Sequence, residues 1–401
     1  MRSKLIGLID HVYPVLFLTL CFSVTWLKPL AVFSYRYLLA AFILQLLLGA
    51  RLQRIKSWHS LYVGLYLLII ALSLAYTQNM HFGARWLRVA CIALIILVFV
   101  EKLSGKVLAQ RILHAFIAGG TILSLILLYQ GIIEQIVRPA HVFHPVHAGN
   151  LLLFTLVATV SLMLAAQSVR SRVFYSSIMI LQLSALYLNG TRGAWIAFAV
   201  IVIAIPLFLL KLPPVWKTGY IVSLILAGTL VTQGAHFQAK FHEALSDVKQ
   251  YQEGVASTSL GGRFEMWKAS YQMIMENPIL GVGLGDWVDE YQKEIKGSKD
   301  EAYLMEFNQP HNIYLEALST RGLVGIFSLL LFILYPLLYV WKRRDPETDL
   351  FRNLVIMTVL AMLIAGMTET ITIIRFVFMA YCVLIGIGMS AFAEADKKAP
   401  L

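Results

Sequence analysis

Three segments of this chain set a basic side chain where it can meet an anion or take up a proton. Arg192 lies in NGTRGAW, residues 189–195, at a turn where one apolar run ends and the next begins. A guanidinium beside so much apolar sequence is costly unless it reaches water, lipid headgroups or an anionic partner. The glycines at 190 and 193 allow another group to come close. Arg192 is therefore either an interfacial anchor or an anion-binding arginine in a cavity. Arg263 follows Gly261 and Gly262 in GGRFEMW. Two glycines beside an arginine suit recognition of a multi-oxygen anion by backbone and side chain together, and the planar fork of donors matches a phosphate. The plain alternative is a solvated loop arginine. His311 lies in NQPHNIYLEALSTRG, residues 308–322. Pro310 suits a helix start just after it, which predicts His311 in the first helical turn. A neutral imidazole there can accept a proton, and a capping histidine is the alternative.

Further candidates carry less. Arg321 is either structural, paired with Glu316 at an imperfect spacing of five, or a further anion contact. His141, His144 and His147 recur every three residues in RPAHVFHPVHAG, a spacing that invites a metal reading. Pro145 breaks a regular helix there and no acidic residue is close in sequence, so the expectation is no metal. His147 instead becomes a candidate for lining a substrate pocket. Glu369 and Arg375 bracket the last such turn and read as a buried structural pair.

These residues must be positioned by helices. Twelve apolar runs lie near 11–27, 29–50, 60–76, 84–100, 112–133, 148–168, 173–190, 193–210, 218–233, 322–341, 352–370 and 373–393. Their lengths approach the roughly 20 residues a spanning helix needs, and they are too continuous for barrel strands. The expected fold is all-α, a polytopic integral membrane protein with about 12 transmembrane helices. Three regions follow: 1–233 with about nine helices, a large polar connection at 234–312, and 313–401 with about three helices and a short tail. Basic residues recur in alternate connections, among them Arg51, Arg54 and Lys56; Lys106 and Arg111; Lys211 and Lys217; and Lys342, Arg343 and Arg344. The opposite connections hold few, chiefly Lys28, Arg85, Arg138, Arg192 and Arg375. This positive-inside pattern predicts both termini in the cytoplasm and the 234–312 connection outside.

Composition agrees. Of 401 residues, 59% are hydrophobic and 14% charged, against about 25% charged in soluble domains. The net charge of +11 is spread along the chain rather than gathered in a basic helix with interleaved aromatics, which argues against nucleic acid. Cys21, Cys91 and Cys382 all fall in apolar runs and offer no disulfide framework. GVGLGDW at 281–287 is glycine-rich, but no strand and helix frame it as a nucleotide fingerprint.

The order of these features resembles one family. Many spans, TRGAW in a tight turn, one large connection with GGRFEMW and NPILGVGLG, then PHNIYLEALSTRG leading into a span look like the O-antigen ligases of Gram-negative inner membranes, within a ligase and polymerase superfamily. The likeness is specific mainly from 187 to 325. It implies a large periplasmic loop domain and transfer of O-polysaccharide from undecaprenyl pyrophosphate to a sugar hydroxyl of lipid A-core. It also implies essential periplasmic groups at Arg192, Arg263 and His311, and no cofactor. The implied partners are the lipid-linked donor, the lipid A-core acceptor and membrane lipids; the oligomeric state is left open. A polymerase that extends glycan on the same carrier is the nearest alternative, and a lipid-linked glycan transporter the alternative from another class. A transporter predicts polar sites near mid-membrane and repeated halves, whereas these candidates gather at one end of the spans.

Overall fold

The computed structural model describes residues 2–47, 58–103, 106–205 and 214–398. Arg51, Arg54, Lys56 and Lys211 lie outside them. The described residues are helical with short turns, in the order α1 (Arg2–Ser23), α2 (Lys28–Leu47), α3 (Trp58–Ser73), α4 (Met80–Leu103), α5 (Lys106–Ile132), α6 (Pro145–Ala165), α7 (Val169–Asn189), α8 (Arg192–Ala204) and α9 (Pro214–Thr232). Four polar-faced helices follow: α10 (Ala235–Gln252), α11 (Ser259–Glu276), α12 (Trp287–Ile295) and α13 (Glu301–Leu304). The chain ends with α14 (Ile313–Trp341), α15 (Asp349–Ala365) and α16 (Arg375–Lys398).

Among the described residues, five helices are long and apolar enough to cross a membrane: Met80–Leu97 of α4, α5, α6, α14 and Arg375–Phe392 of α16. Shorter apolar helices cover His11–Ser23, Leu61–Ser73 and Arg192–Ala204. The chain is thus a multi-pass membrane protein. Large apolar side chains such as Leu125, Val173, Phe327 and Leu338 stand exposed on these helices, as lipid-facing positions do. At the centre, α16 packs against α4, α5, α6 and α15. Every residue of α6 from Ala148 to Leu162 is buried. Close approach is set by small residues: a Cβ at Gly120 would lie 2.3 Å from the Thr155 side chain, so α5 and α6 touch almost backbone to backbone.

The segment between α9 and α14 has its own apolar centre. Met266 and Met273 of α11 pack with Trp287, Tyr291 and Ile295 of α12 and with Leu304. Trp287 stacks on Tyr291 at 4.8 Å and donates its indole N–H to Ser270 Oγ at 2.9 Å.

Two boundaries differ from the expected ones, and both matter for the site. α14 begins nine residues before the expected span at 322 and carries a break at Gly322, where φ is 62° and ψ −153°. The backbone of residues 278–283 fills that break. Leu323 N–H donates to Pro278 O at 2.9 Å, while Val282 and Gly283 donate to Ser319 O and Thr320 O. Gly281 adopts φ 70° and a Cβ there would lie 2.3 Å from the Arg321 amide. The glycine-rich GVGLG segment is therefore the lock on a helix kink. At the other boundary, α15 stops at Ala365 rather than 370, leaving residues 366–374 as a connection that includes a 3-10 turn at Ile371–Ile373.

Candidate functional site

Arg192 owes its place to a hairpin of two helices. Gly190 caps α7 in the left-handed conformation (φ 73°), its N–H reaching Leu186 O and Tyr187 O, and α8 starts two residues later at Arg192 itself. The second glycine, Gly193, has a specific neighbour: a Cβ there would lie 2.1 Å from Thr368 Oγ1. The 366–370 connection therefore lies directly against the start of α8. The Arg192 guanidinium turns towards α10, donating from Nη1 to Lys240 O at 3.2 Å, with Nη2 3.7 Å from Glu243 Oε1. Its side chain keeps 29% of its exposure.

Arg263 stands in the second turn of α11. Its two glycines do not present backbone to a ligand as expected. Gly262 is packed under Phe307, whose ring would sit 3.0 Å from a Cβ, and Gly261 is pressed onto Ala256 and Thr258. The first amides of α11 are already satisfied, Leu260 by Asp247 and Gly261 by the Thr258 cap. Recognition at this position is left to the side chain. Among the described residues the Arg263 guanidinium has no hydrogen-bond or ion-pair partner. Burial pushes its pKa down, opposed by Glu369, while the charges of Arg192 and Arg138 push it further down. Arg138 is subject to the same burial and to Arg192, with Glu243 as its counter-charge, and its buried Nε has no partner. The charges of the three guanidiniums are thus felt at one another. Arg138, in the loop after α5, was not singled out as a site residue.

His311 precedes the helix instead of lying in its first turn. Asn312 is the N-cap of α14, accepting from the N–H groups of Tyr314 and Leu315. Asn preempts the position because its side chain matches the orphan amides. His311 is therefore held in the left-handed region at φ 49°, a conformation that costs a β-carbon residue energy and needs support. The support comes from the 366–370 connection. Ile313 N–H donates to Gly366 O at 2.8 Å, Asn312 N–H to Thr370 Oγ1 at 3.1 Å, and Asn312 Nδ2 to Met367 O at 3.1 Å. From the other side, Trp267 of α11 donates to Pro310 O at 3.0 Å.

This clamp brings Glu369 to His311, at 2.8 Å from Glu369 Oε1 to His311 Nδ1. The expected pairing of Glu369 with Arg375 does not occur: Arg375 turns to the Tyr35 hydroxyl at 3.4 Å. The reason is the early end of α15, which points the Glu369 side chain inward at the start of α14. Glu369 is fully buried. Burial alone would raise its pKa, but the charge and hydrogen bond of His311, then His147 and the Thr370 N–H, bring the carboxyl down to about 2. An ionised carboxylate only accepts, so Nδ1 carries the proton and Nε2 is the ring nitrogen left over. The ring keeps 19% of its exposure, so this nitrogen is within reach of a ligand.

His144 and His147 stand beside the pair, their rings 5.2 Å apart. Burial lowers the His144 pKa, with Glu369 opposing and Arg138 and His311 adding to it. His141 lies apart with φ 54°, its N–H donating to Gln130. Among the described residues no group of three or more His, Cys, Asp or Glu is disposed to hold a metal.

The structure therefore brings together Arg192, Arg263, His311 and His147 and adds Arg138 and Glu369. Arg321 is not among them. It is 2% exposed and makes a two-point pair with Glu316, Nη1 to Oε1 at 3.0 Å and Nη2 to Oε2 at 2.8 Å. The awkward spacing closes because Arg321 is the last residue before the break at Gly322. A guanidinium so engaged is not free for a substrate.

Comparison with known families matches the stretch that holds Arg192, Arg263 and His311. Residues 177–330 match the family model described as O-antigen ligase. An uncharacterized protein of Haemophilus influenzae is 31% identical over 250 residues, 59% of this chain and 61% of that protein. An O-antigen ligase of Escherichia coli K12 is 29% identical over 164 residues, 40% of this chain and 39% of that protein. The chain thus spans about three fifths and two fifths of these relatives. The matched stretch runs from α7 into α14 and carries Arg192, Arg263 and His311, whereas Glu369, Arg138 and His147 lie outside it; over residues 177–330 this membrane protein is similar to the O-antigen ligase family.

Proposed function

We propose that this chain is an O-antigen ligase of the Gram-negative inner membrane. It would move O-polysaccharide from undecaprenyl pyrophosphate to a core-sugar hydroxyl of lipid A-core. The observation that carries the reading is the His311–Glu369 pair, with Nε2 left over, set beside three guanidiniums whose charges are felt at one another. A base next to an anion clamp fits transfer from a sugar pyrophosphate. In this reading Arg192, Arg263 and Arg138 hold the pyrophosphate and stabilise the charge that grows on it as it leaves. His311 Nε2 takes the proton of the attacking hydroxyl, Glu369 fixes the ring, and the new glycosidic bond forms as the bond from the anomeric carbon to phosphate breaks. Direct attack inverts the anomeric carbon. The activated donor supplies the energy, so neither ATP nor a metal is required. His147 lines the acceptor side, and Arg321 holds the helix rather than the substrate.

The same reading takes all twelve helices outside α10–α13 as membrane crossings. Both termini are then cytoplasmic, residues 234–312 form a periplasmic domain, and the site faces the periplasm. One large connection, rather than two, favours ligase over polymerase.

The test uses purified protein in detergent with a chelator and no ATP, supplied with lipid-linked O-polysaccharide and lipid A-core. A ladder of glycan on lipid A, lost in Arg192→Ala, Arg263→Ala and His311→Ala, supports the reading. Glycan lengthening on undecaprenyl pyrophosphate alone would make the protein a polymerase. No product from folded protein with authentic substrates would refute an enzyme and turn attention to transport.

A further inference from the structure

The five basic residues of the sparsely charged connections do not share one site. Arg138 and Arg192 join Arg263, but Lys28, Arg85 and Arg375 line a separate cavity of about 330 Å³. Its wall also includes His147, Asn308 and Gln309, and none of its lining residues is acidic. The three cations come from the first turns of α2 and α16 and the second turn of α4, so the fold has gathered charges that are 57 and 290 residues apart in sequence (85 − 28 and 375 − 85). Among the described residues no acidic side chain forms an ion pair with any of the three. Lys28 is spent on Val142 O and the Phe143 ring, neither of which carries a counter-charge. Arg375 has a neutral tyrosine hydroxyl on Nη1, and its buried Nε has no partner. Like charges gathered in a partly closed space repel one another, and such an arrangement is stabilised by an anion bound among them.

The cavity also abuts the reacting groups. Asn308 and Gln309 immediately precede Pro310 and His311, and residues 373–377 follow Glu369 by one short turn. His147, which lines the cavity, also interacts electrostatically with Glu369. The aromatic rings of Trp86, Phe143 and Phe376 in the same wall suit the apolar faces of sugar rings, and the two amides suit hydroxyls. The volume is at the low end for ligand pockets, roughly 300–1,000 Å³, and suits one charged saccharide unit rather than a polymer.

We infer that this cavity is a second anion site, which holds a phosphoryl group on the acceptor saccharide and so presents a neighbouring hydroxyl to His311. The inference rests on the ligase reading for its direction of transfer, but the binding itself is measurable without turnover.

The experiment uses the full chain in phosphatidylethanolamine nanodiscs. Lipid A-core is supplied as isolated and after phosphatase treatment, with the lipid-linked donor. For the double variant Arg85→Ala/Arg375→Ala, the acceptor KM should rise roughly tenfold or more, with a much smaller change in kcat and none in donor KM. The phosphatase-treated acceptor should show the raised KM with wild type and no further change with the variant. Arg375→Lys should restore part of the effect, and Lys293→Ala, on the exposed face of α12, should behave as wild type. A donor KM shift, an unchanged acceptor KM in folded variant, or an equal variant effect on both acceptors would overturn the inference. If wild type makes no ladder, the ligase reading fails, and equilibrium binding of the two acceptors decides the cavity separately. A tenfold preference for the phosphorylated form, lost in the double variant, keeps the site, and no preference removes it. Loss of that preference in phosphatidylglycerol nanodiscs would assign the cavity to membrane lipid phosphates and overturn the saccharide assignment.

Discussion

Two carboxylates meet basic partners around the first turns of α14, and the two pairs are left in opposite states. Glu316 and Arg321 use both oxygens and two guanidinium nitrogens, and both side chains are almost fully buried, at 1% and 3% exposure. The donor without a partner, Arg321 Nε, is itself buried, so no ligand reaches it. Glu369 and His311 are bound through a single oxygen and a single ring nitrogen, and the ring stays partly open. The carboxylate's second oxygen, Oε2, is buried without a partner. A closed pair consumes its own charge and serves the fold, whereas an open pair keeps one nitrogen available and serves chemistry. Counting buried ion pairs would treat the two alike, and so would counting buried orphan atoms, Arg321 Nε in one pair and Glu369 Oε2 in the other; the exposure of the His311 ring separates them.

The contrast is broken most directly at the open pair. His311→Ala removes the second ring nitrogen and should cut transfer per folded molecule by roughly 10²–10⁴-fold; because it also strands the buried Glu369, ladder formation is normalised to the folded fraction in detergent. Wild-type transfer per folded molecule would put His311 with the structural pair instead. At the closed pair the signature should invert. Arg321→Ala strands a buried Glu316 charge and should destabilise by about 3–5 kcal/mol, with activity lost only as folded protein is lost. The double variant Arg321→Met/Glu316→Gln, which removes both charges, should recover much of that stability. If Arg321→Ala stayed folded and lost donor binding, the closed pair would belong to the site after all.

Smaller effects sharpen the same distinction. Glu369→Gln keeps the shape but no longer enforces a proton on Nδ1, and should lower kcat roughly tenfold or more while leaving donor KM unchanged. A drop in donor affinity instead would mean that Glu369 serves the arginine cluster. The smallest effect is on pH dependence. Glu369 titrates at about 2 in the folded chain, below its ordinary 4.5, so its contribution to stability is complete above about pH 5 and fades as pH falls towards 2. Thermal unfolding between pH 6 and 3 should show that slope in wild type and a shallower one in Glu369→Gln; parallel curves would mean the pairing contributes nothing to folding.

Helices, the polar connection and the neighbourhood of Arg192, Arg263 and His311 could all be read from the chain, because apolar runs and the Gly, Pro and Arg types at turns are local signals. What the residues touch could not. Glu369 is 58 residues from His311, and its partner depends on where α15 ends, at Ala365 rather than at the 370 that hydropathy alone would give. Reading it against Arg375, its near neighbour, was the local choice, and the clamp of Gly366, Met367 and Thr370 on residues 311–313 overrode it. The glycines at 261 and 262 misled in another way. Glycine permits close approach without saying of what, and here the visitor is Phe307 rather than a ligand. Arg138 carried no motif at all; its only signal was a basic residue in a connection otherwise poor in them.

The break at Gly322 has a mechanical consequence. Residues 278–283, which continue directly from the end of α11, splint α14 at the break by hydrogen bonds from both sides of it. Arg263 and His311 are thereby borne on one yoke: α11, its trailing turn and the first three turns of α14. Because the same splint also holds Leu323 and Val324 beyond the break, the bend is braced on both sides, and the spacing between Arg263 and His311 is carried by one stiff corner.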